Sequence, residues 1–395
     1  MIDLKAARAE PERFRAALAR KGAAEVFDAL VEADARWRAL VPKVDELRRR
    51  QRLDGKPTPE QLEELARLKE ELKVREAELA EAAHERDELL AQVPNPPDPS
   101  APDGATEEDA VELRRVGDPP PDGPEHTAVG RFELERAAKL SGSRFGFLVG
   151  DTALAAMALY RLALDRAVAH GHTPVIPPVL VREQAMYGTG FFPTERSNIY
   201  ALEGDALYLT GTSEVALAGM HAGEILEELP IRYTAFSTCF RRESGAAGKD
   251  TRGMFRVHQF NKVELFVYCE PERSGEEHER LLAIEEELVQ ALGLPYRVVN
   301  VAAGDLGAPA AKKYDIEAWF PSQRRYREIT STSNTTDFQA RRLGIRFRRG
   351  RELATPHTLN GTAVTDRFLL ALLENFRGEV PAVLREYGAP ERVAR

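Results

Sequence analysis

Cysteine is scarce in this sequence, because only Cys239 and Cys269 occur among 395 residues. This count excludes a small secreted scaffold held together by disulfides and predicts two reduced thiols in a core. Long apolar runs are also missing, since no stretch of about 18 residues is uncharged and apolar throughout. The opening MIDLKAARAEPERF contains acids and lacks the apolar segment of a secretory signal. We therefore expect a cytoplasmic protein that does not enter a membrane.

An excess of positive charge is absent as well. Lys and Arg total 55 against 64 Asp and Glu, which gives a net charge of −9. This balance argues against a protein that coats nucleic acid by bulk charge, although it leaves a local basic patch open. The 8 histidines and 2 cysteines show no metal-ligand spacing, so we expect no structural zinc. A hydrophobic content of 43% and this length are typical of a globular protein of two to three domains.

The first hundred residues have the Ala, Leu, Glu and Arg composition of long helices. Apolar residues recur at alternating steps of three and four, the heptad pattern of a coiled coil. Thr58, Pro59 and Gln61 form the start signal of a second helix, a capping box with proline at the first helical position. Residues 1–100 are therefore predicted to form an antiparallel helical hairpin with a kink at Pro42. The two predicted seams are Leu30, Ala33, Trp37, Leu40, Val44 and Leu47, and Leu65, Leu68, Leu72, Arg75, Leu79, Ala82, Arg86, Leu89 and Val93.

Positive charge gathers at the turn of this hairpin. An isolated basic run is usually a solvated surface, whereas a rod of about 40 to 50 Å that ends in cations is suited to contacting phosphates. The rod geometry favours the second interpretation, in which the tip binds a nucleic acid. The tip residues are Arg48, Arg49, Arg50, Arg52 and Lys56.

Prolines divide the chain after the hairpin. Because PNPPDPSAPDG and the proline group at 119–124 cannot continue a helix, residues 101–125 are predicted to be a proline-rich linker. From there on, strand patterns such as Tyr296–Val301 mix with helical patterns such as Thr152–Ala169. Residues 126–395 are therefore predicted to form an α+β domain.

The segment from Phe240 to Phe266 carries the strongest chemical pattern and indicates a strand, a charged Gly-rich loop and a second strand. Alternation along the second strand places Phe260, Lys262 and Glu264 on one face of a half-buried strand. The segment could be an ordinary surface hairpin with salt bridges. However, six charged residues interleaved with Gly245, Gly248 and Gly253 fit a phosphate-handling loop better, since Arg offers bidentate donors and Gly allows close backbone approach.

This segment resembles motif 2 of the class II aminoacyl-tRNA synthetases, and its residues are similar to those of the seryl-tRNA synthetases. VIPPVLVREQAMYGTGFFP resembles motif 1, the dimer-forming strand, and TLNGTAVTDRFLLALLEN resembles motif 3. YLTGTSEVAL resembles the T-x-E loop for serine, and YREITSTSNTTDFQARR resembles the late catalytic strand. The resemblance implies an antiparallel sheet flanked by helices, an N-terminal coiled-coil arm for tRNA(Ser), and a homodimer formed through motif 1.

The resemblance also implies an activity, namely joining L-serine to ATP to give seryl-adenylate and passing the serine to tRNA(Ser). It implies that Arg241, Arg367 and Glu328 are catalytic, with Arg241 on the α-phosphate and Arg367 on the leaving pyrophosphate. It further implies that Glu328 and Ser331 hold Mg²⁺ with the ATP. The residues implied to bind ATP are Arg241, Arg242, Glu243, Val257, Phe260, Glu328, Ile329, Thr330, Ser331 and Arg367.

Serine recognition follows from the same resemblance. Thr212 and Glu214 would receive the ammonium group, and Glu264 with Thr362 would reach the hydroxyl. From the residues alone, the preferred interpretation of Glu264 is a strand carboxylate paired to Lys262 or Arg256. The residues implied to bind serine are Thr212, Ser213, Glu214, Arg241, Glu264 and Thr362.

Some features depart from the family, because the arm and the HTAVGRFELERAAK segment look short. These departures leave two alternatives open. One is a specialised seryl-tRNA synthetase paralogue that serves a biosynthetic or antibiotic-resistance pathway, and the other is a non-catalytic tRNA-binding homologue.

Overall fold

The computed structural model describes residues 1–52, 58–244, 250 and 253–394. The chain divides into two compact units, Met1–Pro96 and Pro97–Arg395. Within the described ranges, no helix is both long enough and apolar enough to span a membrane.

The first unit is entirely helical where it is described. The Asp3 side chain caps α1 by accepting from the amides of Lys5 and Ala6. Both halves of the expected capping box, Thr58 with Gln61, are present at the start of α4. The helices are α1 (Leu4–Ala9), α2 (Pro11–Ala19), α3 (Ala24–Arg50) and α4 (Pro59–Gln92).

Helices α3 and α4 pack along the two predicted seams, whose residues are all buried or partly buried. Pro42 lies inside α3, which continues through it. One polar break in the second seam has a clear partner, because the Arg86 guanidinium lies 4.1 Å from the centre of the Trp37 ring. Residues 53–57, between these two helices, fall outside the described residues.

The tip arginines that the structure describes, Arg48, Arg49, Arg50 and Arg52, are exposed, whereas Lys56 falls outside the described residues. Arg48 pairs with Glu76 of α4 at 2.9 Å, and Arg50 pairs with Glu64 at 3.2 Å. The cations therefore face solvent while part of their charge is balanced within the hairpin.

A buried carboxylate joins the short helices to the hairpin. Asp34 is 2% exposed and accepts two hydrogen bonds from Arg8, at 2.8 and 2.6 Å. Arg38 approaches the same carboxylate at 3.1 Å. Arg15 and Asp28 make a similar pair at 2.9 Å on the exposed surface of the unit.

We expect Asp34→Ala to lower the free energy of unfolding of this unit by about 2 to 3 kcal/mol, because it removes the buried acceptor of two charge-assisted hydrogen bonds from Arg8 and of the contact with Arg38. The exposed Asp28→Ala should cost less than about 1 kcal/mol. Urea unfolding followed by the fluorescence of Trp37, in a chain carrying Trp319→Phe, measures both losses. Equal losses in the two variants would contradict this account.

The second unit is built on an eight-stranded sheet in the order β1-β8-β9-β10-β13-β7-β6-β2. Its neighbouring strands are antiparallel except for the parallel pair β2 and β6. The strands are β1 (Val111–Val116), β2 (Thr173–Val175), β3 (Leu180–Arg182), β4 (Leu207–Leu209), β5 (Ile225–Leu226), β6 (Ile231–Phe240), β7 (Gln259–Cys269), β8 (Tyr296–Asn300), β9 (Lys312–Phe320), β10 (Arg325–Thr336), β11 (Arg346–Arg349), β12 (Glu352–Ala354) and β13 (His357–Thr365).

Helices α7, α10 and α12 pack against the central strands of this sheet and form the main core with them. The mixture of an antiparallel sheet and packed helices confirms the α+β prediction. The helices are α5 (His126–Val129), α6 (Leu134–Ser141), α7 (Asp151–Ala169), α8 (Glu183–Thr189), α9 (Glu214–Gly219), α10 (Ser274–Ala291), α11 (Phe338–Leu343), α12 (Asp366–Phe376) and α13 (Ala382–Arg385).

Strand β7 departs from the half-buried strand that its alternation predicts, because it is buried on both faces from Lys262 onward. Val263 and Leu265 belong to the main core, and Phe266 belongs to a second cluster on the opposite face. The prediction was wrong because Lys262 and Glu264 of β7 line a cavity inside the second unit rather than facing bulk solvent.

The segment 101–125, which is expected to be a linker, contains regular structure. Val111–Val116 form the edge strand β1, which pairs antiparallel with β8. Trp319 donates a hydrogen bond at 2.8 Å to the carbonyl of Pro120, which fixes the second proline group against the sheet. The whole of this segment belongs to the second unit, because the units divide after Pro96.

Candidate active site

A cavity of about 160 Å³ opens over the polar face of β7 in the second unit. Most of the residues singled out in the sequence meet there. The predicted residues that line it are Thr212, Glu214, Arg241, Glu243, Val257, Phe260, Glu264, Glu328, Ile329, Thr330, Ser331, Thr362 and Arg367.

One end of the cavity is organised around the hydroxyl of Thr212. This oxygen accepts hydrogen bonds from Lys262 Nζ at 2.7 Å and from the Glu214 amide at 3.2 Å, and it donates to Glu264 Oε2 at 3.3 Å. Lys262 also forms a direct ion pair with Glu264. The pairing that the sequence left open for Glu264 is therefore present, and it lies inside the cavity.

Glu214 begins α9, and its carboxylate points into the same end. Gln339 and Asn360 donate hydrogen bonds to Oε1 at 2.7 and 2.8 Å. Burial, with the nearby charge of Glu264, raises the pKa of Glu214 to about 7. Burial also raises the pKa of Glu264, although Lys262 opposes that shift. This end therefore holds two carboxylates beside one lysine and has capacity for a further cation.

Arg241 lies at the end of β6, in the middle of the cavity. Its guanidinium lies 5.1 Å from the centre of the Phe260 ring, and its Nε donates to the Gly211 carbonyl at 3.3 Å. The Arg241 amide donates to the His258 carbonyl at 2.9 Å, and His258 Nδ1 donates back to the Arg241 carbonyl at 2.9 Å. These contacts fix the backbone of Arg241 and leave most of its guanidinium donors facing the cavity.

The other end of the cavity is rich in arginine. Arg256 pairs with Glu243 at 2.5 Å, and Glu243 has a φ of 53°, which is unusual for a residue other than glycine. The Phe255 ring lies against two guanidinium groups, with Arg327 at 3.7 Å and Arg367 at 4.6 Å from its centre. These partly buried guanidinium groups concentrate positive charge at one end of the cavity, which suits a polyphosphate.

Glu328 lies among these cations. Burial acts to raise the pKa of its carboxyl, but Lys313, Arg367 and other nearby cations outweigh burial and hold the pKa below its ordinary value. Arg367 donates to the Glu328 carbonyl at 3.0 Å. The ionised carboxylate and the Ser331 hydroxyl line the same wall, and oxygen pairs of this kind suit Mg²⁺, which binds through one or two protein oxygens and substrate phosphates.

Two β-bulges shape the walls. The register of β10 against β9 shifts between Glu328 and Thr330, and that of β13 against β7 shifts between Thr362 and Val364. The first bulge lets consecutive residues of β10 line the cavity, which a regular strand with alternating side chains does not allow.

Two predicted residues lie outside the lining. Ser213 is buried at the start of α9, and Arg242 is exposed with its guanidinium 5.3 Å from the Tyr200 ring centre. The loop residues Gly245, Gly248, Lys249 and Arg252 fall outside the described residues.

The lining residues absent from the predicted site are Phe191, Met254, Phe255, Arg256, Lys262, Asn360, Thr365 and Asp366. The alternation of β7 places Lys262 on the same face as Glu264, so the sequence could have identified Lys262. The same two-residue period places Asn360 on the face of β13 that carries Thr362.

Two family models match the chain. Residues 1–97 match the seryl-tRNA synthetase N-terminal domain, and residues 199–376 match the tRNA synthetase class II core domain (G, H, P, S and T). The serine-tRNA ligase of Thermobifida fusca is 49% identical over 414 residues, covering 98% of this chain and 97% of that protein. The serine-tRNA ligase of Nocardia farcinica is 48% identical, covering 97% of each chain.

Solved structures agree with these relatives. The seryl-tRNA synthetase of Pyrococcus horikoshii, complexed with ATP, superposes with a TM-score of 0.93 at 39% identity, covering 100% of this chain and 99% of that chain. The cytoplasmic serine-tRNA ligase of Naegleria fowleri, in complex with AMP, has a TM-score of 0.87 at 33% identity, covering 98% of this chain and 96% of that chain. The resemblance inferred from the sequence motifs is confirmed.

The raised pKa of Glu214 has a measurable consequence for stability. Between its ordinary value of 4.5 and about 7, the unfolded chain releases a proton that the folded chain keeps, so stability falls as the pH rises through this window. Glu214→Gln stays neutral and keeps the accepting oxygen. We expect it to exceed the unmodified chain in unfolding free energy by roughly 2 kcal/mol at pH 8 and by almost nothing at pH 4.5.

Thermal or urea unfolding at the two pH values measures this difference. The exposed Glu228→Gln serves as the matched control and should show no such dependence on pH. An advantage of Glu214→Gln that is equal at both pH values would contradict the assigned shift.

Proposed function

The chain belongs to the seryl-tRNA synthetase family, and from this premise we propose that it joins L-serine to ATP and transfers the serine to tRNA(Ser). The first step forms seryl-adenylate and releases pyrophosphate, and the second esterifies the 3′ end of the tRNA. The observation that carries this proposal is one cavity with paired carboxylates at one end, arginines at the other and Arg241 between them.

The serine end fits an amino acid that carries a hydroxyl. Glu214 and Thr212 would receive the ammonium group, whose positive charge offsets the unfavourable proximity of the two carboxylates. Glu264 and Thr362 would bind the hydroxyl. Alanine would then leave these buried polar groups without partners, whereas threonine, with one extra methyl group, would have to be excluded by its size.

The arginine end fits ATP. Glu243 would hold the adenine, Phe260 would stack on it from the face opposite Arg241, and Arg367 would hold the γ-phosphate. Val257 and Ile329 supply apolar lining on the same side. Mg²⁺, where bound, would be held by Glu328 and Ser331 and would neutralise phosphate charge.

Activation needs no general base, because the serine carboxylate is itself the nucleophile. Its oxygen attacks the α-phosphorus in line with the departing pyrophosphate, and the P–O bond to pyrophosphate breaks. Arg241 would lie beside both the carboxylate and the α-phosphate, where its charge stabilises the pentacoordinate arrangement. Positioning by fixed cations and hydrogen bonds supplies most of the acceleration.

The first unit is suited to tRNA. We place tRNA binding on its exposed tip residues Arg48, Arg49, Arg50, Arg52 and Lys56, the last of which lies outside the described residues. The chain would work in the cytoplasm, where its substrates occur.

We further propose a homodimer formed through the motif 1 segment. Large apolar side chains are exposed there and on the nearby helix α7, including Ile176 at 95% and Met157 at 62%. Exposed apolar clusters of this kind mark subunit interfaces, and two-fold symmetry is the commonest arrangement. No feature of the cavity supports either alternative from the sequence, and its lining includes the three implied catalytic residues Arg241, Glu328 and Arg367.

Serine-dependent exchange of pyrophosphate into ATP tests the first step. We expect exchange with serine and little with alanine or threonine, and we expect Arg241→Ala to reduce kcat/KM by about 10² to 10³-fold because it removes charge stabilisation from the transition state. Arg273→Ala, which removes a partly exposed arginine outside the cavity lining, is the control. Absence of exchange with serine, or an Arg241→Ala variant as active as the control, would contradict the proposal.

Charging of tRNA(Ser) tests the arm. Replacing Arg48, Arg49 and Arg50 together with alanine should raise the KM for tRNA by about tenfold and flatten its dependence on salt, because fewer phosphates are neutralised. Pyrophosphate exchange should not change, since the cavity lies in the other unit. The double variant Arg13→Ala and Arg15→Ala removes exposed arginines elsewhere in the first unit and should leave the KM for tRNA unaltered. Equal effects of the two sets would refute a role for the tip.

A further inference from the structure

A buried histidine outside the cavity lining joins three distant segments of the second unit. His126 begins α5 and is 2% exposed. Its Nδ1 lies 2.8 Å from Glu374 Oε1, and its Nε2 accepts a hydrogen bond at 3.1 Å from the amide of Met254. Because Nε2 acts as an acceptor, the proton of the neutral ring resides on Nδ1 and is donated to Glu374. Both ring nitrogens of His126 therefore have a hydrogen-bond partner.

The partner carboxylate is held just as firmly. Glu374 is 1% exposed, and its Oε1 also accepts from the His126 amide at 3.3 Å. Its Oε2 accepts from the amide and hydroxyl of Ser322 at 3.2 and 2.7 Å. A buried carboxylate with this set of donors is a rigid anchor, since losing any of them leaves a polar group without a partner in the core.

The anchor connects by two routes to the arginine end of the cavity, which is the nucleotide end in the proposed function. Met254 and the next residue, Phe255, line that end. Phe255 is the ring on which Arg367 and Arg327 lie, at 4.6 and 3.7 Å. Arg367 is on α12, seven residues before Glu374 and therefore two turns away on the same helix.

Glycine at 253 makes the contact with the histidine possible. Gly253 has a φ of 70°, and a Cβ at this position would lie 2.7 Å from His126 Nε2. A side chain would therefore push the Met254 amide away from the ring while also straining the backbone.

We propose that His126 is a positioning residue for the nucleotide end of the cavity. His126 fixes the Met254 backbone, and through the neighbouring Phe255 it sets the position of Arg367. Glu374 keeps the His126 ring in the tautomer whose Nε2 accepts a hydrogen bond. This assignment rests on the proposed function, because it assigns that end of the cavity to ATP.

The test is steady-state pyrophosphate exchange with ATP and serine varied separately. His126→Ala should raise the KM for ATP by about tenfold and leave the KM for serine within about twofold, because only the nucleotide end loses its anchor. His126→Gln keeps an acceptor and a donor and should recover most of the affinity for ATP. Gly253→Ala reaches the same contact from the other side and should reproduce the ATP effect even if His126→Ala fails to fold.

His278→Ala is the matched control, because His278 is also buried, at 1% exposure, and contacts Thr332 and Tyr314 rather than the nucleotide end. It should lower the melting temperature without selectively raising the KM for ATP. The inference is overturned if His126→Ala and Gly253→Ala leave the KM for ATP unchanged, raise both KM values equally, or match His278→Ala. An unmodified chain without exchange would instead contradict the proposed function.

Discussion

The buried ion pair of Lys262 and Glu264 on β7 is the constraint on which the site depends. Removing two charges from water costs several kcal/mol each unless they are paired and hydrogen-bonded. Here they pair with each other and with the Thr212 hydroxyl. The opposite face of the same strand packs into the main core through Val263 and Leu265. A slip of one residue would put both charges into that core, so the charges fix the register of β7 against β6 and β13.

The register of β7 sets the order of the functional side chains along the cavity. The strand that holds Lys262 and Glu264 also carries Phe260 toward the nucleotide end, and the neighbouring β6 brings Arg241 alongside. The carboxylates near Thr212 disfavour each other, as the raised pKa values of Glu214 and Glu264 indicate. A ligand that brings a cation to this end relieves that strain. The site is thus less stable without substrate than an apolar core would be, which is a common cost of catalytic sites.

Local and periodic features could be predicted from the sequence, and long-range geometry could not. The heptad seams and the Thr58 capping box depend on residues a few positions apart, so the sequence contains all of the information needed. The strand period likewise places Lys262 and Glu264 on one face, although it cannot reveal that this face lines a cavity. The bulge after Glu328, the edge strand Val111–Val116 and the contact of His126 with Glu374 all depend on partners far along the chain. No local pattern specifies such partners.

The most direct test of the account is a crystal structure of the protein with a non-hydrolysable sulfamoyl analogue of seryl-adenylate. We expect the seryl ammonium to bind at Glu214 and Thr212, the seryl hydroxyl to bind at Glu264, and the adenine to lie beside Phe260. An analogue bound in the opposite orientation, with its adenine at Glu264, or bound outside this cavity, would contradict it.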